Sequence, residues 1–146
     1  MTPEQRRLVQ SSWVQVLPKS ETAAALFYSR LFELEPAAAR LFRRDMREQG
    51  VLFMQMISVI VRGLDDLATL TPAVEALGRR HVGYGVESAD HDAVGAAFLW
   101  ALQRTLGEGF SPSVQVAWAS TYKVVASIMR QAAAGGTAPT GAGSPA

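Results

Sequence analysis

The chain has 146 residues, a length that fits one domain able to bury a sizeable core. With 49% hydrophobic and 18% charged residues its bulk is globular, and a formal net charge of +1 leaves no footprint for nucleic acid. It contains no cysteine, which excludes disulfides, thiolate zinc sites, cysteine nucleophiles and iron–sulfur clusters.

Strand signals are nearly absent; long 3.6-residue patterns broken by Pro, Ser and Gly dominate. Thr2 followed by Pro3 opens a first helix, with Gln5 completing a capping box, and Pro18 marks its end. Ser20 is the predicted cap of a second helix running to about Glu35. Pro36 starts a short third segment through Phe42, and a charged corner follows at Arg43-Arg44-Asp45-Met46-Arg47-Glu48. The next helix carries the stripe Gln49, Phe53, Met56, Ile57, Ile60 and Leu64 and is weakened at Gly63 and Asp65-Asp66. Thr71-Pro72 reads as a cap and first-position pair for a helix ending near Gly83 and Gly85. Another helix runs from Ser88–Asp90 to Leu106 and is broken by Gly107 and Gly109; Ser111-Pro112 opens the last, which reaches about Ala132. Six or seven helices with short connections predict an all-α domain over residues 1–133. Residues 134–146, built from Gly, Ala, Pro, Thr and Ser, read as a disordered tail.

The segment Met1 to Arg7 has no apolar core of a signal peptide. The most apolar stretch, Val51 to Val61, is interrupted by Gln55 and Ser58 and is shorter than the ~20 residues that span a bilayer. The expectation is a soluble, cytoplasmic protein with neither membrane nor nucleic acid as partner.

Only two histidines are present. His81 follows Val74 and Leu77 on an inward stripe near a helix end, where a histidine is more often a core residue bonded to a carbonyl than a metal ligand. Tyr28 lies on the stripe Ala24, Phe27, Tyr28, Leu31, and a buried tyrosine needs a partner for its hydroxyl. Gln49 heads the apolar stripe of the long helix; it is either exposed at the helix end, the commoner arrangement, or poised over a cavity. A Tyr, a Gln and a His facing Phe, Leu, Met, Val and Ile share one explanation, a flat apolar cofactor carrying a metal, such as haem.

Here the sequence resembles the bacterial single-domain globins, the Hell's Gate globin type and the globin domain of flavohaemoglobins. The likeness covers roughly residues 3 to 131. It is carried by Leu26-Phe27-Tyr28-Ser29-Arg30-Leu31-Phe32, Arg40-Leu41-Phe42, Gly78-Arg79-Arg80-His81 with Tyr84-Gly85-Val86, and Leu106-Gly107-Glu108-Gly109-Phe110 with Ala117-Trp118 and Tyr122. The resemblance implies a globin fold around haem b, with His81 as the proximal iron ligand and Phe42 wedged against the haem. It makes Tyr28 and Gln49 the distal pair over the sixth coordination site, with Phe53 narrowing the pocket. Tyr84, Val86, Val94 and Phe98 would line the proximal side and the haem edge.

The implied function is high-affinity, reversible binding of oxygen, and of carbon monoxide and nitric oxide, because donors at Tyr28 and Gln49 stabilise a partly anionic ligand. The alternative is a nitric oxide dioxygenase served by a separate reductase; a haem-based gas sensor is a third reading. The sequence departs from the flavohaemoglobin pattern on the proximal side. His91 stands where that pattern has a tyrosine, and Ala133 where it has a glutamate, so the carboxylate support of the proximal histidine is missing. His91 either substitutes as an acceptor or is a polar residue near a helix start. The Arg40, Arg43, Arg44 and Arg47 cluster reads as a solvated face, or more sharply as a propionate clamp or reductase-docking surface.

Overall fold

The computed structural model describes residues 1–42, 45–83 and 88–135, except for the side chains of residues 81–83, 88, 89, 133 and 135. Six α-helices follow one another: α1 (Pro3–Val16), α2 (Ser20–Leu34), α3 (Met46–Gly63), α4 (Leu67–Gly83), α5 (Ser88–Leu106) and α6 (Pro112–Gly135). Short 3-10 turns sit at Leu17–Lys19, Pro36–Leu41 and Gly107–Gly109, and no strand occurs among the described residues. No helix of the described chain is long and apolar enough to cross a membrane. The expected tail from residue 136 onward lies outside the described residues; α6 itself continues to Gly135, past the expected end at Ala132.

Local chemistry accounts for most of the boundaries. The Thr2 hydroxyl accepts from the Gln5 backbone N–H at 3.1 Å and the Gln5 side chain accepts from the Thr2 N–H at 3.0 Å, the reciprocal box that starts α1. Ser20 does not cap α2 as expected. The turn at Leu17–Lys19 runs into α2, Ser20 already has helical dihedrals (φ −59°, ψ −40°), and Lys19 precedes it without a side-chain bond. The charged corner is partly helical: the Asp45 carboxylate accepts from the Arg47 N–H at 2.7 Å and α3 begins at Met46.

Thr71-Pro72 does not open α4, which starts at Leu67 and carries Pro72 inside it. The working cap is Asp66, whose carboxylate takes the Thr69 hydroxyl at 2.7 Å and its N–H at 3.3 Å. The Thr71 hydroxyl donates back to the Leu67 carbonyl at 2.6 Å instead of facing the helix start. Pro72 lies early enough in α4 that its missing N–H withholds only a bond to a first-turn carbonyl.

α2 packs on α5, α4 on α6, α1 on α6, and α2 on α3. One buried cluster joins α1, α2, α5 and α6 through Val9, Trp13, Phe27, Leu31, Leu102 and Trp118. A second joins α3, α4 and α6 through Ile60, Leu70, Val74, Leu77 and Met129. Gly78 sets the approach of α4 to α6, since a Cβ placed there would fall 2.6 Å from the Met129 backbone. Two clusters that do not merge leave space between them.

Candidate functional site

That space is an apolar cavity of about 140 Å³. It is far larger than the ~10–15 Å³ that holds one water. α2 contributes Phe27, Tyr28 and Leu31; α3 contributes Phe53, Met56, Ile57 and Ile60; α4 contributes Leu77. Val94 and Phe98 come from α5, Trp118, Tyr122, Val125 and Met129 from α6, and Phe42 from the end of the Pro36–Leu41 turn.

Aromatic rings build one wall. Phe27 and Phe53 stack at 4.3 Å with planes 6° apart, and Phe42 meets the Tyr28 ring edge-on at 5.2 Å. Phe98 touches Phe53 at 5.9 Å and Trp118 at 5.4 Å. The Trp118 indole N–H donates to the Ser12 hydroxyl at 2.9 Å, and that hydroxyl donates to the Val9 carbonyl at 3.1 Å. Both tryptophan and serine are thereby satisfied away from the cavity.

Polar atoms reach this wall at few places. The Tyr28 hydroxyl donates to the Gln49 backbone carbonyl at 3.4 Å, longer than an ordinary O–H···O bond of ~2.5–3.0 Å. Burial pushes the Tyr28 phenol well above its usual pKa, while the Gln49 side chain bonds to it and opposes that shift. A bond that lowers a phenol's pKa favours the phenolate, so the Gln49 amide donates into the Tyr28 oxygen. Gln49 itself is 2% exposed and is not a wall residue; it supports Tyr28 from within the α2–α3 contact.

Asp90 and His91 enter from the first turn of α5. Asp90 is buried and pairs with Arg40 at 3.0 Å, tying α5 to the Pro36–Leu41 turn; Arg40 is thus more than a solvated surface charge. Burial holds the His91 imidazole below its ordinary pKa, and Arg130 adds to this against Asp90 and Asp92. The Tyr122 hydroxyl donates to the His91 carbonyl, and burial pushes that phenol up to about 12. Gly95 makes room for the Tyr122 ring, because a Cβ there would lie 2.7 Å from its Cε1.

Of the residues singled out in the sequence, Tyr28, Phe42, Phe53, Val94 and Phe98 share this cavity, and Gln49 is bonded to Tyr28. The His81 backbone belongs to α4, one turn beyond the wall residue Leu77, and its side chain lies outside the described residues. Tyr84 and Val86 lie outside them too, as do Arg43 and Arg44. Sequence reasoning did not single out Asp90 or assign Tyr122 to the cavity. Asp90 entered only as part of a helix start, and the Arg40 contact across 50 positions distinguishes it. Among the described residues no three His, Asp or Glu gather to hold a metal ion.

The family model described as Globin matches residues 25–129 of the chain. Neuroglobin-2 of Oncorhynchus mykiss is 29% identical over 143 residues, spanning 88% of this chain and 90% of its own. The neuroglobin of Danio rerio has the same identity and coverage. Among solved structures, an engineered carbene transferase, by name a nitric oxide dioxygenase from Rhodothermus marinus, superposes with a TM-score of 0.82. It covers 92% of this chain and 94% of its own at 21% identity, a likeness of fold.

Proposed function

Because the chain belongs to the globin family, we propose that it holds haem b with His81 as the protein ligand of the iron. In this reading it reversibly binds oxygen, carbon monoxide and nitric oxide beside Tyr28. Haem supplies an iron atom that accepts an imidazole on one side and a diatomic gas on the other. The fit rests on the cavity: its walls are apolar, its aromatic faces suit a flat ring, and its phenol is protonated. Phe42, Phe53, Val94 and Phe98 would contact the ring system, and Leu77 precedes His81 by one turn of α4.

The observation that carries the reading is the Tyr28–Gln49 pair. With the Gln49 amide donating into the phenol oxygen, the Tyr28 proton is held only by a long bond to a carbonyl. That proton can be redirected to a partly anionic acceptor in the cavity at little cost, and the raised pKa keeps it on the oxygen across the physiological range. Purified chain should be red, with a Soret band and a five-coordinate ferrous spectrum that changes on oxygen and carbon monoxide. His81→Ala should lose stable haem. A colourless preparation that takes up no added haem, or native spectra in His81→Ala, would overturn the reading.

The same donor supports a second reading, a nitric oxide dioxygenase that draws electrons from a separate reductase. Nitric oxide consumption under oxygen with a supplied reductant, faster in wild type than in Tyr28→Phe, is its signature; equal rates dismiss it.

A further inference from the structure

We propose that small apolar gases reach the inner cavity through the groove between α2 and α3, and that the Tyr28 ring is the door; this rests on the gas-binding reading above. On the outer side of the α2–α3 contact lies an open groove lined by Ala25, Ser29 and Phe32 from α2 and by Gly50, Val51 and Met54 from α3. Among the described residues Tyr28 alone lines both this groove and the inner cavity. The groove and the cavity wall therefore meet at Tyr28.

The ring is buried, and its polar ties to α3 run to Gln49. Its hydroxyl is tethered to α3 by a bond of 3.4 Å, at the weak end of the range. Its ring neighbours are Phe27, Phe32, Phe42 and Phe53, with centroids at 4.9–6.1 Å. The helices themselves cannot close further to seal the groove: at Gly50 even a Cβ would lie 3.1 Å from the Ala24 Cβ. Across the outer lip the Arg47–Glu21 pair bridges α3 to α2 at 3.0 Å, with both side chains more than three-quarters exposed, so it is a loose strap. Part of the groove is apolar where it meets solvent, Val51 and Val59 each being at least half exposed, beside the charged residues Glu21, Arg47 and Arg62. The valine side gives an apolar gas a surface on which to collect.

A route differs from a binding contact in its kinetics. Narrowing a route slows arrival and departure alike and leaves the equilibrium where it was; altering the site changes the equilibrium. Ser29 and Val51 are exposed groove residues outside the cavity wall. In Ser29→Trp and Val51→Trp, carbon monoxide association after flash photolysis and its thermal dissociation should both fall by about threefold or more, with Kd unchanged. Val116→Trp, equally exposed on α6, is the control and should leave both rates alone. Unchanged rates in both groove variants with native spectra would overturn the route, as would a change confined to dissociation. Xenon exchange with the cavity, followed by xenon NMR on the chain as purified, reads the same door without a haem ligand. It should slow in the groove variants and not in Val116→Trp. Absence of a Soret band would refute the haem reading while the xenon exchange still decides the route.

Discussion

The Tyr28 hydroxyl and the Gln49 backbone carbonyl face each other at 3.4 Å across the α2–α3 contact. The two helices come close nearby, where a Cβ at Gly50 would lie 3.1 Å from the Ala24 Cβ. A phenol with a long bond and a buried environment is a proton donor waiting for a better acceptor. Tyr28→Phe keeps the ring and removes that donor. A bond to a charged acceptor contributes about 1.5–3 kcal/mol, so oxygen dissociation should quicken by about tenfold to a hundredfold. Carbon monoxide, far less polarised, should change much less. Stopped-flow displacement of oxygen measures this, and equal effects on both gases would remove Tyr28 from the role.

Alkaline pH should weaken the fold through the two buried phenols. Burial raises the pKa of Tyr28 and Tyr122 above the ordinary 10.0, Tyr122 to about 12. Between those values the native chain keeps protons that the unfolded chain releases. Their stabilisation is therefore complete below about pH 10 and is lost as the pH climbs toward 12. Urea midpoints taken from about pH 8 to pH 11 should fall, and Tyr122→Phe should flatten the decline. A midpoint in wild type that does not move over that span contradicts the burial argument.

Gly78→Ala should separate α4 from α6. The added methyl would meet Met129 backbone atoms at 2.6 Å, and backbone cannot swing aside as a side chain can. A loss of about 1–3 kcal/mol is expected, as for other overpacked contacts. The helix displaced is the one that carries His81, so haem retention should fall with stability. Thermal melts and haem transfer to a competing protein report the two effects.

Arg40→Met tests the pair at the first turn of α5. Asp90 is nearly fully buried while Arg40 is 43% exposed, so the loss should be about 1–3 kcal/mol, below that of a wholly buried pair. Arg40→Met combined with Asp90→Asn should recover part of it, because the buried charge is gone as well. A double variant whose loss equals the sum of the two single losses would mean that Asp90 acts independently of Arg40.

Much of the helical order was readable because each cue is local. Thr2, Pro3 and Gln5 lie within one turn of each other, and Gly107 and Gly109 interrupt α5 where the pattern fades. The failures were local cues answered by a competitor. Asp66 took the capping role expected of Thr71, and the turn over Leu17–Lys19 left Ser20 nothing to cap. Gln49 shows the limit more sharply: its place at the head of a stripe fits exposure more often than burial, yet it is 2% exposed between α2 and α3.

By itself, the sequence determined the helical class and the inward faces of α2 and α3, Tyr28 among them; the resemblance to globins implied Phe42 and Phe53 beside it. Periodicity places residues three and four apart on one face whatever the rest of the chain does. Only the tertiary structure decided which atoms face one another across long separations: Tyr28 with Gln49, Arg40 with Asp90, and Tyr122 with His91. Those meetings depend on how closely helices approach, and that distance is set by single positions such as Gly50, Gly78 and Gly95 where a missing Cβ lets one helix or ring settle against another.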